Sequence, residues 1–229
     1  MASSPSYTEA VQDYLKAIYS LTNSGDFTTT KRVAERLNVA APSVTNMVQR
    51  MAAFHPPLVE YHKHKGVALT DAGRAEALRT IRRHRLIELF LVRILGYGWE
   101  EVHAEAERLE HAISSNFEDR LAALLGEPDF DPHGDPIPDR NLDLPAEKLV
   151  TLTQMGAGSR GVVRRINHAE AGLVRYLEEH GVSMNAEIEV LEQVAWDRTV
   201  HIRVAGISQE HVLGEAAASL IWLEISPRA

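Results

Sequence analysis

The 229-residue sequence predicts a mainly α protein with a small β component, organised as a winged helix-turn-helix, a helical middle domain and a small C-terminal β-barrel. Three observations carry that expectation. Apolar residues recur at helical spacing from Val11 to beyond Leu121, a short basic hairpin pattern around Lys63 interrupts them, and β-rich runs replace them after Leu149. The domain boundaries that follow are 1–73, 74–148 and 149–229, with the middle domain ending in a proline-rich linker.

Taken in order, "TEAVQDYLKAIYSL" (Thr8 to Leu21) puts Val11, Tyr14, Leu15, Ile18 and Leu21 on one helical face, and "TNSGD" ends the run. A second helix is predicted over "TTTKRVAERLN" with a threonine as N-cap. After the turn "NVAAP", Pro42 suits the first position of a third helix, "PSVTNMVQRMAAF". Its apolar side is Val44, Met47, Val48 and Met51, which leaves Ser43, Thr45, Asn46, Gln49 and Arg50 for the other side. "PLVEYHKHKGVALT" reads as two short strands around "HKHKG". Two helices joined by a tight turn and followed by a basic hairpin make a winged helix-turn-helix, whose third helix would enter the major groove.

A long helix is predicted from Asp71 through "AGRAEALRTIRRHRLIELFLVRIL" to the breaker "GYG". Another begins near Trp99 and runs through "VHAEAERLEHAIS", and "SSNFEDRLAALLG" supplies a third. Residues 126–149 hold five of the ten prolines and little periodicity, so they read as an extended linker. Beyond it, "GVVRRI", "AEIEVLEQV" and "TVHIRV" surround one helix, "AGLVRYLEEHG", the pattern of a small barrel.

Composition limits what such a protein can do. The net charge of −8 argues against indiscriminate nucleic-acid binding, but it is unevenly spread. Residues 1–85 hold 12 Lys/Arg against 7 Asp/Glu, net +5, while the remainder holds 12 against 25, net −13. Only the N-terminal part suits a polyanion. With no cysteine, disulfides and thiolate ligands are excluded, so a bound metal must use oxygen and nitrogen donors. No apolar run is long enough to span a membrane and no secretory signal opens the chain, so a cytoplasmic location is expected.

The chemistry concentrates in "VHAEAERLEHAIS". His103, Glu107, Glu110 and His111 stand at i, i+4, i+7 and i+8, within an arc of about 100° on a helix. A solvated face laced with i,i+4 pairs is the plain explanation. Against it, Val102, Ala106, Leu109 and Ile113 leave the stripe clear, and the preceding helix carries its own imidazole and carboxylate, His84 and Glu88. Clustered carboxylates repel one another unless a divalent ion neutralises them, so two such helices can surround a cation.

Together, "HxxxExxEH" on one helix, "RRHRLIELFL" on the helix before it, "YLKAIYSL" near the N-terminus, "PSVTNMVQRM" as a recognition helix and "HGDPIP" in the linker resemble the diphtheria toxin repressor family of metal-dependent regulators. The resemblance runs in matching order over nearly the whole chain. It implies a DNA-binding regulator rather than an enzyme, with an SH3-like (FeoA-like) barrel at the C-terminus. It also implies a regulatory metal site of Asp13, Glu107, Glu110 and His111, and a second site of His84, Glu88 and His103, which His168 or Glu170 of the barrel would complete. Iron-responsive members place a sulfur residue at the positions of Asp13 and Glu107. Carboxylates at both make a hard donor set that favours Mn(II), with Fe(II) as the alternative and other divalent transition metals as substitutes. Short manganese-responsive members carry a glutamate where this chain has Lys16, so two separate sites are expected rather than a closely spaced pair.

On the recognition helix, the resemblance assigns Asn46 to a base edge and Pro42 and Ser43 to the groove floor. Thr45, Gln49 and Arg50 suit phosphates, and Lys63 and Lys65 of the wing add charge beside the backbone. The expected partner is a palindromic double-stranded operator bound by a homodimer, most simply to repress metal-uptake genes. The apolar side Val102, Ala106, Leu109, with Trp99, is a candidate dimer surface, or packs only within the chain. Two other classes stay open: a di-metal helix-bundle enzyme, which needs two Glu-x-x-His motifs where the helices here offer one, Glu100 to His103, and a metal-independent winged-helix regulator.

Overall fold

The computed structural model describes residues 7–22, 26–167 and 171–226, which fall into two compact units. The first holds the chain up to His84 together with Glu107–Asp119 and Pro138–Asp143; the second holds Arg85–Ala106, Arg120–Ile137 and the chain from Leu144.

In the first unit, α1 (Glu9–Leu21) buries Val11, Tyr14, Leu15 and Ile18, as the spacing predicts. Thr29 caps α2 (Thr30–Leu37) by accepting from the Arg32 amide at 3.2 Å. Asn38 ends α2 in the left-handed region (φ 52°), which turns the chain into α3 (Ala41–Ala52). That helix starts one residue before Pro42 and buries Val44, Val48 and Met51. The wing is the antiparallel pair β1 (Val59–His62) and β2 (Gly66–Leu69), in register from Val59↔Leu69 to His62↔Gly66. Two hydrogen bonds, both 2.9 Å, between the backbones of Thr28 and Val67 stitch it to the residues leading into α2. Gly66 is required there: its φ is 107°, and a Cβ would lie 2.1 Å from the Thr28 carbonyl oxygen.

The long helix, α4 (Asp71–Leu95), has the predicted bounds. The next one does not: α5 (Trp99–Leu109) stops before Glu110, and the following residues make a turn in which the Ala112 amide donates to the Leu109 carbonyl at 3.0 Å. Glu110 and His111 therefore sit on a turn rather than on the helical stripe expected. Their side chains are drawn to partners on α1 and α4, described below, and those bonds replace the last helical turn. Helix α6 (Ser115–Leu124) follows.

In the second unit, β3 (Leu149–Thr151), β4 (Arg160–Ile166), β5 (Glu187–Val194), β6 (Thr199–Val204), β7 (Glu210–Leu213) and β8 (Ile221–Ile225) form one antiparallel sheet in the order β3-β8-β4-β5-β6-β7. Register shifts between Val163 and Arg165 and between Val190 and Glu192 bend it around a core that includes Val163, Ile188, Val190, Ile202 and Leu223. Two helices, α7 (Ala171–Glu179) and α8 (Glu215–Ala218), complete the domain. Sequence periodicity finds β4, β5 and β6; β3, β7 and β8 are too short to stand out alone.

The linker segment is ordered against β4. The Ile166 amide donates to the His133 carbonyl at 3.0 Å, and Gly134 (φ 84°) lies so close to the strand that a Cβ would meet the Arg164 carbonyl at 1.8 Å. Asp131 holds this turn by accepting from the amides of His133 (2.8 Å) and Asp135 (2.9 Å). Burial, reinforced by the charges of Asp135 and Glu88, pushes the Asp131 pKa up to about 8. Val102 and Ala106 are fully buried within the single chain, and Trp99 packs on the barrel core, so that side of α5 already has its neighbours. No helix among the described residues is long and apolar enough to cross a membrane.

Candidate metal centre

Asp13 of α1 and Glu110 and His111 of the post-α5 turn each offer a donor atom within 4.8 Å of the others, although about 100 residues separate them in sequence. His111 Nε2 lies 3.0 Å from Asp13 Oδ1 and 3.3 Å from Glu110 Oε1. The other imidazole nitrogen is fixed by a relay. Gln12 donates through Nε2 to Glu76 Oε1 (3.0 Å), so its Oε1 faces His111 Nδ1 at 2.7 Å and must accept from it. Nε2 is then the nitrogen presented to the site, the orientation that metal-binding histidines generally receive from a hydrogen-bonded neighbour. A nitrogen and a carboxylate oxygen 3.0 Å apart need a proton or a cation between them, which is the position a divalent ion would take.

Charge balance points the same way. Burial raises the Asp13 carboxyl above its ordinary range even though His111 and Lys16 pull it down. Burial also opposes ionisation of the fully buried Glu110, but His84 and Lys16 more than offset it and hold that carboxyl below its usual range. Lys16 Nζ donates to both Glu110 oxygens, at 2.7 and 3.0 Å, and His84 Nδ1 stands 2.5 Å from Oε2. Glu107 stands at the rim, its side chain 55% exposed and 3.9 Å from Lys16 Nζ, outside the three-donor cluster. A ring of oxygen and imidazole donors with an excess of carboxylate fits a hard divalent ion.

Of the second predicted set, His84 and Glu88 lie one turn apart on α4 and so share a face. Glu88 is fully buried, and His103 Nδ1 is 3.1 Å from its Oε1. The contact of His84 with Glu110 was not legible in the sequence, nor were Gln12 and Glu76. Their only signal is that a glutamine and a glutamate interrupt otherwise core-facing helical positions. His168 and Glu170 lie outside the described residues.

The predicted DNA-reading side chains are on the surface of the first unit. Pro42, Ser43, Asn46, Gln49 and Arg50 are exposed on α3, and Thr45 is half-buried with its hydroxyl donating to the Ala41 carbonyl at 3.2 Å. Lys63 and Lys65 are exposed on the wing, Lys65 with its ammonium 3.9 Å above the Phe27 ring.

Three family models match in the same order: the N-terminal DNA-binding domain of iron-dependent repressors at residues 6–67, their metal-binding and dimerisation domain at 70–139, and a FeoA domain at 150–225. The iron-dependent repressor IdeR of Mycobacterium leprae (strain TN) is 38% identical over 195 residues, covering 80% of this chain and 84% of that protein. The chain belongs to the diphtheria toxin repressor family. It is a metal-dependent DNA-binding transcriptional repressor, not an enzyme, which removes the di-metal alternative. The diphtheria toxin repressor of Corynebacterium diphtheriae is 29% identical over 226 residues, 94% of this chain and 97% of that one. Among solved structures, a manganese-dependent transcriptional repressor in complex with manganese matches with a TM-score of 0.86 and 38% identity, covering 94% of this chain and all of that one. The manganese regulator SloR follows at 0.78 and 33%, covering 94% of this chain and 98% of that one.

Proposed function

We propose that this repressor responds to Mn(II). The regulatory ion is held by Asp13, Glu107, Glu110 and His111, a second by His84, Glu88 and His103, and the loaded homodimer binds a palindromic operator that controls metal uptake. The observation that carries this reading is the Asp13–His111–Glu110 cluster, all oxygen and imidazole, joining a residue ahead of the helix-turn-helix to residues far behind it. When bound, the ion supplies the positive charge that the cluster lacks. The chain's own contribution is to orient: Gln12 aims His111, and Asp13 transmits the tie to α1, which packs in one core with Val33 of α2 and Val44 and Val48 of α3. Fixing α1 fixes the reading helix, a coupling of the usual ~1 to 3 kcal/mol.

Iron is the competing reading, supported by the relatives named iron-dependent repressors. The sulfur-free donor set supports manganese against it, with selectivity coming from geometry and availability rather than raw affinity. Domain boundaries near 73 and 148 complete the proposal, and Ile94 and Leu95, each 55% exposed at the end of α4, are its candidate dimer contacts. Fluorescence anisotropy on operator DNA under anaerobic Mn(II), Fe(II) and Zn(II) tests it. Asp13→Ala should keep the circular dichroism of the folded protein and lose manganese-stimulated binding; unchanged activation in that variant would sink the mechanism.

A further inference from the structure

The tip of the wing carries four consecutive basic side chains, His62, Lys63, His64 and Lys65, and all four are exposed. The turn that presents them is held in place. The Lys65 amide donates to the His62 carbonyl at 3.0 Å, His62 pairs with Gly66 across the hairpin, and Gly66 abuts the Thr28 carbonyl so closely that no side chain fits there. Phe27, next to Thr28, steadies two of the four: its ring lies 5.5 Å from the His62 ring and 3.9 Å from the Lys65 ammonium. The other titratable groups around the tip are Glu60 and Tyr61 on β1, Asp26 beside Phe27, and Arg50 on α3, which packs on β1. Helix α1, which packs on β2, carries Glu9 at its start, buries Tyr14 and turns Asp13 and Lys16 toward His111 and Glu110. Among the described residues no carboxylate makes an ion pair with either wing imidazole.

A tip built only to carry charge would need lysines alone. Imidazole is the side chain whose charge ordinarily changes between pH 5 and 8, so two of the four charges here are conditional, and a phosphate beside them favours the charged form. Resting on the reading of the wing as a DNA contact, we propose that His62 and His64 bind backbone phosphates as imidazolium ions, so that operator binding takes up protons at the wing. The tip brings two charges to the duplex when both imidazoles are neutral and four when both are protonated. The repressor therefore grips its operator more tightly as pH falls from 8 to 6. Base reading by α3 is unaffected, because phosphate contacts carry no sequence information directly.

The test is fluorescence anisotropy of the full-length protein on a duplex that the metal-loaded repressor selects from a random-sequence pool, run as salt series at pH 6 and pH 8. Metal is kept saturating at each pH, because protons compete with an ion for its imidazole ligands and would otherwise add a dependence of the opposite sign. Each phosphate neutralised contributes about 0.9 to the slope of log affinity against log salt. The wild-type slope should be steeper at pH 6 than at pH 8 by about one to two, with affinity at moderate salt about tenfold higher. The double variant His62→Gln, His64→Gln should show the wild-type pH 8 slope at both pH values and keep the wild-type preference for the selected duplex over a scrambled one. His62→Lys with His64→Lys should hold the steep slope at pH 8. A wild-type slope equal at the two pH values, or a glutamine variant that keeps the change, overturns the proposal. Lys63→Ala tells the two failures apart. If it lowers the slope by about one while the histidine variants move nothing, only this inference fails; if it too matches the wild type, the wing does not touch DNA and the reading beneath the inference fails with it.

Discussion

In the second unit Asp135 is met by Arg165 at 3.4 Å and Arg85 at 3.9 Å, Arg165 also pairs with Glu147, and Asp131 holds its proton to about pH 8. In the first unit Glu110 pairs with Lys16 and His84, Glu107 lies 3.9 Å from Lys16, and Asp13 stands 3.0 Å from His111. Both regions gather carboxylates where water is scarce. The linker cluster sets Arg85 and Arg165 against Asp135 and Glu147 and keeps Asp131, beside the charges of Asp135 and Glu88, protonated. The regulatory cluster instead turns an imidazole nitrogen and carboxylate oxygens toward one point, the arrangement a divalent ion would complete. Buried charge by itself therefore does not mark a ligand site in this chain; the convergence of imidazole and carboxylate donors does.

The strongest way to break that comparison is to load each cluster with metal. A ligand at a hundred times its dissociation constant stabilises the folded state by about 2.7 kcal/mol. Thermal unfolding of the wild type should rise by several degrees with saturating Mn(II). Glu110→Ala should lose the part of that rise that comes from the regulatory centre, together with about a hundredfold or more in affinity there. Asp131→Asn should keep the rise in full. If Asp131→Asn erased it too, the linker cluster would not be self-contained.

The second test is pH. The Asp131 pKa is raised in the folded state, so the native protein binds a proton that the unfolded chain has released. Its contribution to stability is full below about pH 4, the ordinary aspartate value, and is lost as pH rises toward 8. At about 1.4 kcal/mol per pH unit, urea unfolding of the second unit should weaken by about 2 kcal/mol between pH 6 and pH 8. Asp131→Asn, which keeps the Oδ1 bonds to the His133 and Asp135 amides, should flatten that slope. Glu110 has the opposite sign: its stabilisation is present above its ordinary pKa of 4.5 and is lost as pH falls below it. A wild-type profile flat from pH 6 to pH 8 would contradict the protonated Asp131.

How much of this contrast was legible beforehand depends on distance along the chain. The helix-turn-helix, the wing and α4 follow from local periodicity and turn chemistry. Asp13, Glu110 and His111 followed from motif resemblance, and the fold brings them together. Helical spacing nevertheless placed Glu110 and His111 on a stripe, whereas the chain leaves the helix at Leu109. The bonds that pull them off it, to Lys16 94 residues away and to Asp13 98 residues away, have no local trace. The same limit hid Gln12 and Glu76, 64 residues apart, and the docking of the linker on β4. Periodicity reports which face a residue is on, and only tertiary packing decides which other face it meets.

A smaller effect separates the cluster's donors from their support. Gln12→Leu removes the acceptor that orients His111 while leaving every proposed ligand in place. Loss of such a partner generally lowers metal affinity by 10- to 100-fold, and the lower end, about tenfold, is expected here because Asp13 still contacts the ring. Operator affinity at saturating manganese should be unchanged, so calorimetry moves and anisotropy at high metal does not. If both fell equally, Gln12 would be holding the helix packing rather than the imidazole.

The smallest expected effect concerns a third arrangement of charge, the exposed lysines of the wing. Unlike either buried cluster, they gain by releasing counterions from DNA, so each should appear in the salt dependence rather than in metal binding. Lys63→Ala should lower the slope of log affinity against log salt by about one and leave base preference intact, whereas Asn46→Ala on α3 should relax preference at one position by about 1 to 3 kcal/mol. Lys65 sharpens the case, because its ammonium is already placed over the Phe27 ring. Part of its charge is engaged before DNA arrives, and leaving the ring offsets what a phosphate contact contributes. Lys65→Ala should therefore change the slope by less than Lys63→Ala, and equal slopes in an anisotropy series would show that the ring contact does not compete.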